Sequence, residues 1–113
     1  MLNIQTRQEG NASVITIKGK VNFEVTAQLR ESIKDTLSTN KPKILIINLE
    51  GITFIDSSGL GLLVAARTSA ADTENGRLHL CCLPAQVKKV FDQTNLTNYF
   101  SIFASEQDAL RGN

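Results

Sequence analysis

The stretch Phe54-Ile55-Asp56-Ser57-Ser58-Gly59-Leu60-Gly61-Leu62 sets two hydroxyls and two glycines where an apolar strand gives way to a helix. The strand is read from Lys43-Ile44-Leu45-Ile46-Ile47-Asn48-Leu49 just upstream, an apolar run of the kind found when both faces of a strand are covered. The helix is read from Leu60, Leu63, Val64 and Arg67, which recur at helical spacing through Ala65, Ala66 and Ala70, with Asp56 or Ser57 as its cap. A serine at such a junction lies near the positive end of the helix dipole, where added negative charge is tolerated.

N-capping by itself accounts for a hydroxyl at a helix start. The glycines ask for more. Each costs a helix about 1 kcal/mol relative to alanine, so Gly59 and Gly61 imply bare backbone for close approach by a neighbouring strand or another molecule. Gly59-Leu60-Gly61 is not a dinucleotide fingerprint, because Val64 stands where the third glycine belongs.

Outward from this junction, Leu2, Ile4 and Thr6 alternate with Asn3, Gln5 and Arg7, and Glu9-Gly10-Asn11 turns the chain into a second strand over Ser13 to Lys18. These two runs predict a hairpin. After Gly19, Asn22 is the expected cap of a helix whose Val25, Leu29, Ile33 and Leu37 form an apolar stripe backed by Arg30, Glu31, Lys34 and Asp35. Pro42 precedes the long apolar strand, and the glycine-bearing helix runs until about Asp72 to Gly76. A strand over Leu78 to Leu83 follows, then a helix with Pro84 at its first position and Val87, Val90 and Phe91 on its buried face. Phe100 to Phe103 reads as a last short strand, and Ser105-Glu106-Gln107-Asp108 as the capping box of a terminal helix.

This order predicts one α/β domain over residues 1–113, with a mixed sheet of four to five strands and about four helices. The sheet should be antiparallel at its start and parallel afterwards. In such sheets functional groups gather beyond the carboxyl ends of the strands, where the Asp56-Ser57-Ser58 turn is expected.

Composition bounds the partners. With 42% hydrophobic residues in 113 there is enough material for a core. A formal charge of +1 and no basic run argue against a nucleic-acid surface. No apolar segment approaches the roughly 20 residues of a membrane span, and Met1-Leu2-Asn3-Ile4 lacks the basic and apolar regions of a signal peptide. A cytoplasmic protein is expected. Cys81 and Cys82, adjacent in a strand-like run, are read as small hydrophobes pointing to opposite faces, with no disulfide or metal site.

The residues Asn48-Leu49-Glu50 and Phe54 to Gly61 resemble the signature of stand-alone STAS domains, the bacterial anti-sigma factor antagonists. The similarity extends to Gly19–Leu29 and to Pro84–Phe91. It implies a STAS-like domain that binds an anti-sigma factor which is also a serine kinase, thereby freeing a sigma factor. Phosphorylation by that kinase turns the domain off, and a metal-dependent serine phosphatase restores it. The acceptor is the serine directly after the aspartate, here Ser57. The partner surface carried over by motif comprises Asp56, Ser58, Gly59, Leu60, Gly61 and Leu62, with Asn22 nearby, and the apolar Leu60 and Leu62 are expected to line it. Many members have aspartate before the first helix, where Gly19-Lys20-Val21-Asn22 has asparagine, so a capping role survives there and a carboxylate role does not.

The resemblance requires no cofactor, metal or catalytic base, because the kinase brings the nucleotide. A serine hydrolase is disfavoured, since Ile55-Asp56-Ser57-Ser58-Gly59 lacks the first glycine of a nucleophile elbow and the one histidine, His79, sits in a strand-like run. A further alternative keeps the fold but makes the domain a non-phosphorylated scaffold or subunit of a signalling or lipid-transport assembly.

Overall fold

The computed structural model describes residues 2–112. The hairpin forms from β1 (Asn3–Glu9) and β2 (Ala12–Val21), followed by α1 (Thr26–Asn40), β3 (Ile44–Ile55), α2 (Ser57–Ala71), β4 (Arg77–Cys81), α3 (Ala85–Gln93), β5 (Ser101–Phe103) and α4 (Glu106–Arg111). The strands lie in the order β1-β2-β3-β4-β5. β1 pairs antiparallel with β2, and every later pair is parallel.

Each of the three crossovers moves the chain one strand further in the same direction. Right-handed connection therefore puts their helices on one face of the sheet. The main core lies there: Ile15, Ile17, Leu45, Ile47 and Leu80 from the strands meet Leu29 and Ile33 of α1, Leu63 and Ala66 of α2, and Val87 and Phe91 of α3. The opposite face carries the alternate strand residues Val14, Ile46 and Cys81, covered by Ala109 and Leu110 of α4. Period-two alternation along doubly covered strands explains why Ile44 to Ile47 reads as an unbroken apolar run.

α4 is tied to its face by polar groups. The Arg7 guanidinium donates to Glu106 Oε1 at 2.5 Å, and Asn48 Nδ2 donates to Glu106 Oε2 at 2.7 Å. The Arg7 hydrogen bonds hold the Glu106 carboxyl below its usual pKa. Ser105 caps the helix by accepting from the Asp108 N–H at 3.1 Å. At its other end the buried His79 donates from Nδ1 to the Ala109 carbonyl at 2.8 Å and packs its ring on Phe103, 4.6 Å between centroids.

Burial holds the His79 pKa below its ordinary value, so the ring is folded in its neutral form. Wherever the unfolded chain binds the proton and the folded one does not, stability falls with falling pH. The denaturant midpoint is therefore expected to drop as the pH falls through the ordinary value of about 6.5 and on toward the lower value of the folded ring. In His79→Gln that decline should flatten. An equally steep decline in the variant would assign the pH response to other groups.

Three expectations are corrected, and β3 runs on from its apolar stretch to the expected junction. Asn22 does not cap α1, which begins at Thr26 after Val25; its Oδ1 instead accepts from the Glu24 N–H at 3.0 Å, closing a turn ahead of the helix. β3 continues beyond Leu49 to Ile55, with pairing irregularities on β2 between Thr16 and Lys18 and between Gly19 and Lys20. β4 stops at Cys81 because Cys82 takes a left-handed backbone, φ 62°, so the two cysteines do not alternate across one strand. Pro84 precedes α3 as its N-cap and is not its first helical residue.

Candidate functional site

The parallel strands β2 and β3 end side by side, with Val21 opposite Ile55. The Asp56 N–H donates to the Val21 carbonyl at 3.2 Å, so the chain leaving β3 is held against the end of β2. Asp56 adopts an extended backbone, and its Oδ1 accepts from the Gly59 N–H at 3.0 Å. That bond satisfies one of the N–H groups a helix start leaves unpaired. Asp56, rather than Ser57, is the cap. Ser57 is then the first residue of α2, exposed, with its hydroxyl beside the positive end of the helix.

Removing the cap carboxylate should loosen this turn. Asp56→Ala is expected to lower unfolding free energy by about 1 kcal/mol, within the roughly 0.5–2 kcal/mol range of such caps. Chemical denaturation reads it directly, and an unchanged midpoint would show that water or Ser57 replaces the carboxylate.

The two glycines have different jobs. A Cβ on Gly59 would sit 2.7 Å from Ile55 Cγ1 and 2.8 Å from Val21 Cγ1, so this glycine lets α2 press onto the strand ends. A Cβ on Gly61 would meet nothing within 4 Å. Ser57 and Gly61, four residues apart, lie on one exposed face of α2, and Ser58 is half-buried beside it.

Leu60 and Leu62 do not line the surface as expected. Both are buried in the main core, and Gly59 is buried with them. The helix turns these positions onto the sheet while Ser57 and Gly61 face solvent. The exposed apolar groups at this end are Phe23, 72% exposed just beyond β2, and Phe54, 47% exposed near the end of β3. Neither was assigned to the site from sequence. Phe54 lies within the decisive stretch, but nothing in its pattern separates an outward aromatic from the core run it extends.

Among the described residues no group of three or more His, Cys, Asp or Glu side chains could hold a metal ion. His79 is committed to Ala109 on the opposite face of the sheet from α2. Cys81 is buried, with its thiol pKa pushed up by that burial, and is no nucleophile.

The sequence over residues 3–109 matches the model of the STAS domain family. The chain belongs to the STAS domain family. An anti-sigma F factor antagonist from Lysinibacillus sphaericus is 32% identical over 101 residues, covering 88% of this chain and 86% of that one. The solved structure of the anti-sigma factor antagonist SpoIIAA in its unphosphorylated form is 25% identical, covers 98% of both chains and superposes with a TM-score of 0.78. The Bacillus cell fate determinant SpoIIAA in the phosphorylated form shares the fold at a TM-score of 0.71 and 24% identity, over 96% of this chain and 98% of its own. Over its described residues this STAS domain thus has the predicted architecture, an α/β unit with a five-stranded mixed sheet and four helices. No helix among the described residues is long and apolar enough to cross a membrane.

Proposed function

We propose that this STAS domain is a cytoplasmic anti-sigma factor antagonist in a phosphorylation-controlled partner switch. It is a substrate and a binding module, not an enzyme. In its unphosphorylated form it binds an anti-sigma factor that is also a serine kinase and so frees a sigma factor. Phosphate on Ser57 ends that binding, and a metal-dependent serine phosphatase reverses it.

The observation that carries this reading is Ser57 itself, exposed as the first residue of α2 on a turn already braced by Asp56 and Val21. A kinase can reach its hydroxyl without unfolding the domain. Phosphate would bring roughly −1.5 to −2 charges at neutral pH. The helix terminus tolerates them in the free domain. A partner packed over Gly61 and seated against Phe23 or Phe54 would have to desolvate them, and any acidic group opposite would repel them. In this account Asp56, Ser58 and Gly61 border the contact, Asn22 shapes the turn that presents Phe23, and Gly59, Leu60 and Leu62 act from inside by fixing the helix.

The test is to incubate the protein with its cognate anti-sigma factor kinase and ATP, then map phosphate by peptide mass spectrometry. Modification is expected at Ser57 and not at Ser58. Modification chiefly at Ser58, or none by a kinase that demonstrably binds the domain, would overturn the assignment.

A further inference from the structure

We propose that the groove between α1 and α2 is a binding site for a small amphipathic anion, an alkyl or aryl carboxylate whose head is held by Arg30 and Lys34. The groove is open along one side and offers about 430 Å³, within the range of small-molecule sites of about 300–1,000 Å³. It exists because of a mismatch in side-chain size. α1 brings Ile33 and Leu37 to the seam, but α2 answers with Ala65, Ala66 and Ser69, too short to fill the space between the helices. The floor is apolar, with Ile33, Leu62 and Ala66 each under 5% exposed.

Charge gives this groove a direction. Arg30 and Lys34 stand one turn apart on α1, and among the described residues neither has an ion-pair partner. Asp72, the C-cap of α2, lines the other end. Both helices follow parallel strands and therefore run the same way, so the carbonyl end of α2 lies beside Asp72 and away from Arg30. An anion placed at Arg30 and Lys34 is attracted by both side chains, and a tail of several carbons then lies along Leu62 and Ala66. Reversed, the head would meet the Asp72 carboxylate and the carbonyl end of α2. A neutral or cationic amphiphile of the same length has no such preference for the site. The site is separate from Ser57, and the inference is independent of the partner switch.

Sodium octanoate is the probe, titrated into the isotopically labelled full chain with amide chemical shifts as readout, beside 1-octanol and octylammonium of matched length. Octanoate is expected to shift the amides of Ala65, Ala66 and Ser69 and the facing turns of α1, saturably and at least tenfold more tightly than the two controls. Arg30→Glu with Lys34→Glu, both exposed, should lose tenfold or more of that affinity. Ala65→Phe, which fills the groove from an exposed position, should abolish the shifts with the charges intact, and denaturation midpoints check that both variants are folded. Comparable binding of all three probes, no effect of charge reversal, or shifts spread over Phe23 and Phe54 would overturn the proposal. So would a groove that ignores octanoate and becomes protected only when a protein partner binds.

Discussion

Ser57→Asp is expected to lower affinity for the anti-sigma factor kinase at least tenfold, about 1.4 kcal/mol, whereas Ser57→Ala keeps it. Alanine removes the acceptor hydroxyl but leaves Gly61, Phe23 and Phe54 as they are. Aspartate adds one charge on the exposed first turn, where the contact would have to bury it, and a true phosphate adds roughly one more. Because the Ser57 side chain makes no hydrogen bond among the described residues, neither substitution should cost the fold more than a few tenths of a kcal/mol, the usual limit for such surface changes. Isothermal titration of the two variants against the kinase decides the matter. Equal affinities would refute the charge mechanism.

Gly59→Ala should destabilise the domain by about 1–3 kcal/mol, the cost of overpacking a well-filled interior. The new methyl would collide with Ile55 Cγ1 at 2.7 Å and Val21 Cγ1 at 2.8 Å, with the Val21 carbonyl oxygen 3.1 Å away. Both side chains belong to the main core and cannot swing into solvent. Gly61→Val should behave in the opposite way, because its site is open and valine has the better helix propensity. Its unfolding midpoint should hold or rise while partner affinity falls. If Gly61→Val instead unfolds early and the folded fraction binds normally, the contact lies on another face of α2.

The fold was legible in the sequence to a large extent because periodicity and punctuation agree. The run Ile44 to Leu49 reads as a doubly covered strand, and Asp56 or Ser57 followed by apolar residues at helical spacing reads as a helix start. That Ser57 and Gly61 share a face follows from that helix. What was not legible is its rotation about its own axis. Leu60 and Leu62 look like a surface patch when read along the chain, yet the short β3–α2 junction turns them both inward. Asn22 misled for a related reason: asparagine closes isolated turns as readily as it caps helices, and only the chain's path from Val21 to Thr26 tells the two apart. The left-handed residue at Cys82 has no sequence signal at all, since cysteine is not a residue type that favours that backbone.

The double anchorage of the α2 start, through the Asp56 carboxylate to Gly59 and through the Asp56 amide to Val21, has a consequence in time. A turn fixed to a core strand on one side and packed without clearance on the other resists rearrangement. Modification of the serine beside it would change what the surface carries without first reshaping it. Loss of the partner should then keep pace with the covalent step, with no lag between phosphate incorporation and dissociation beyond the partner's own off-rate.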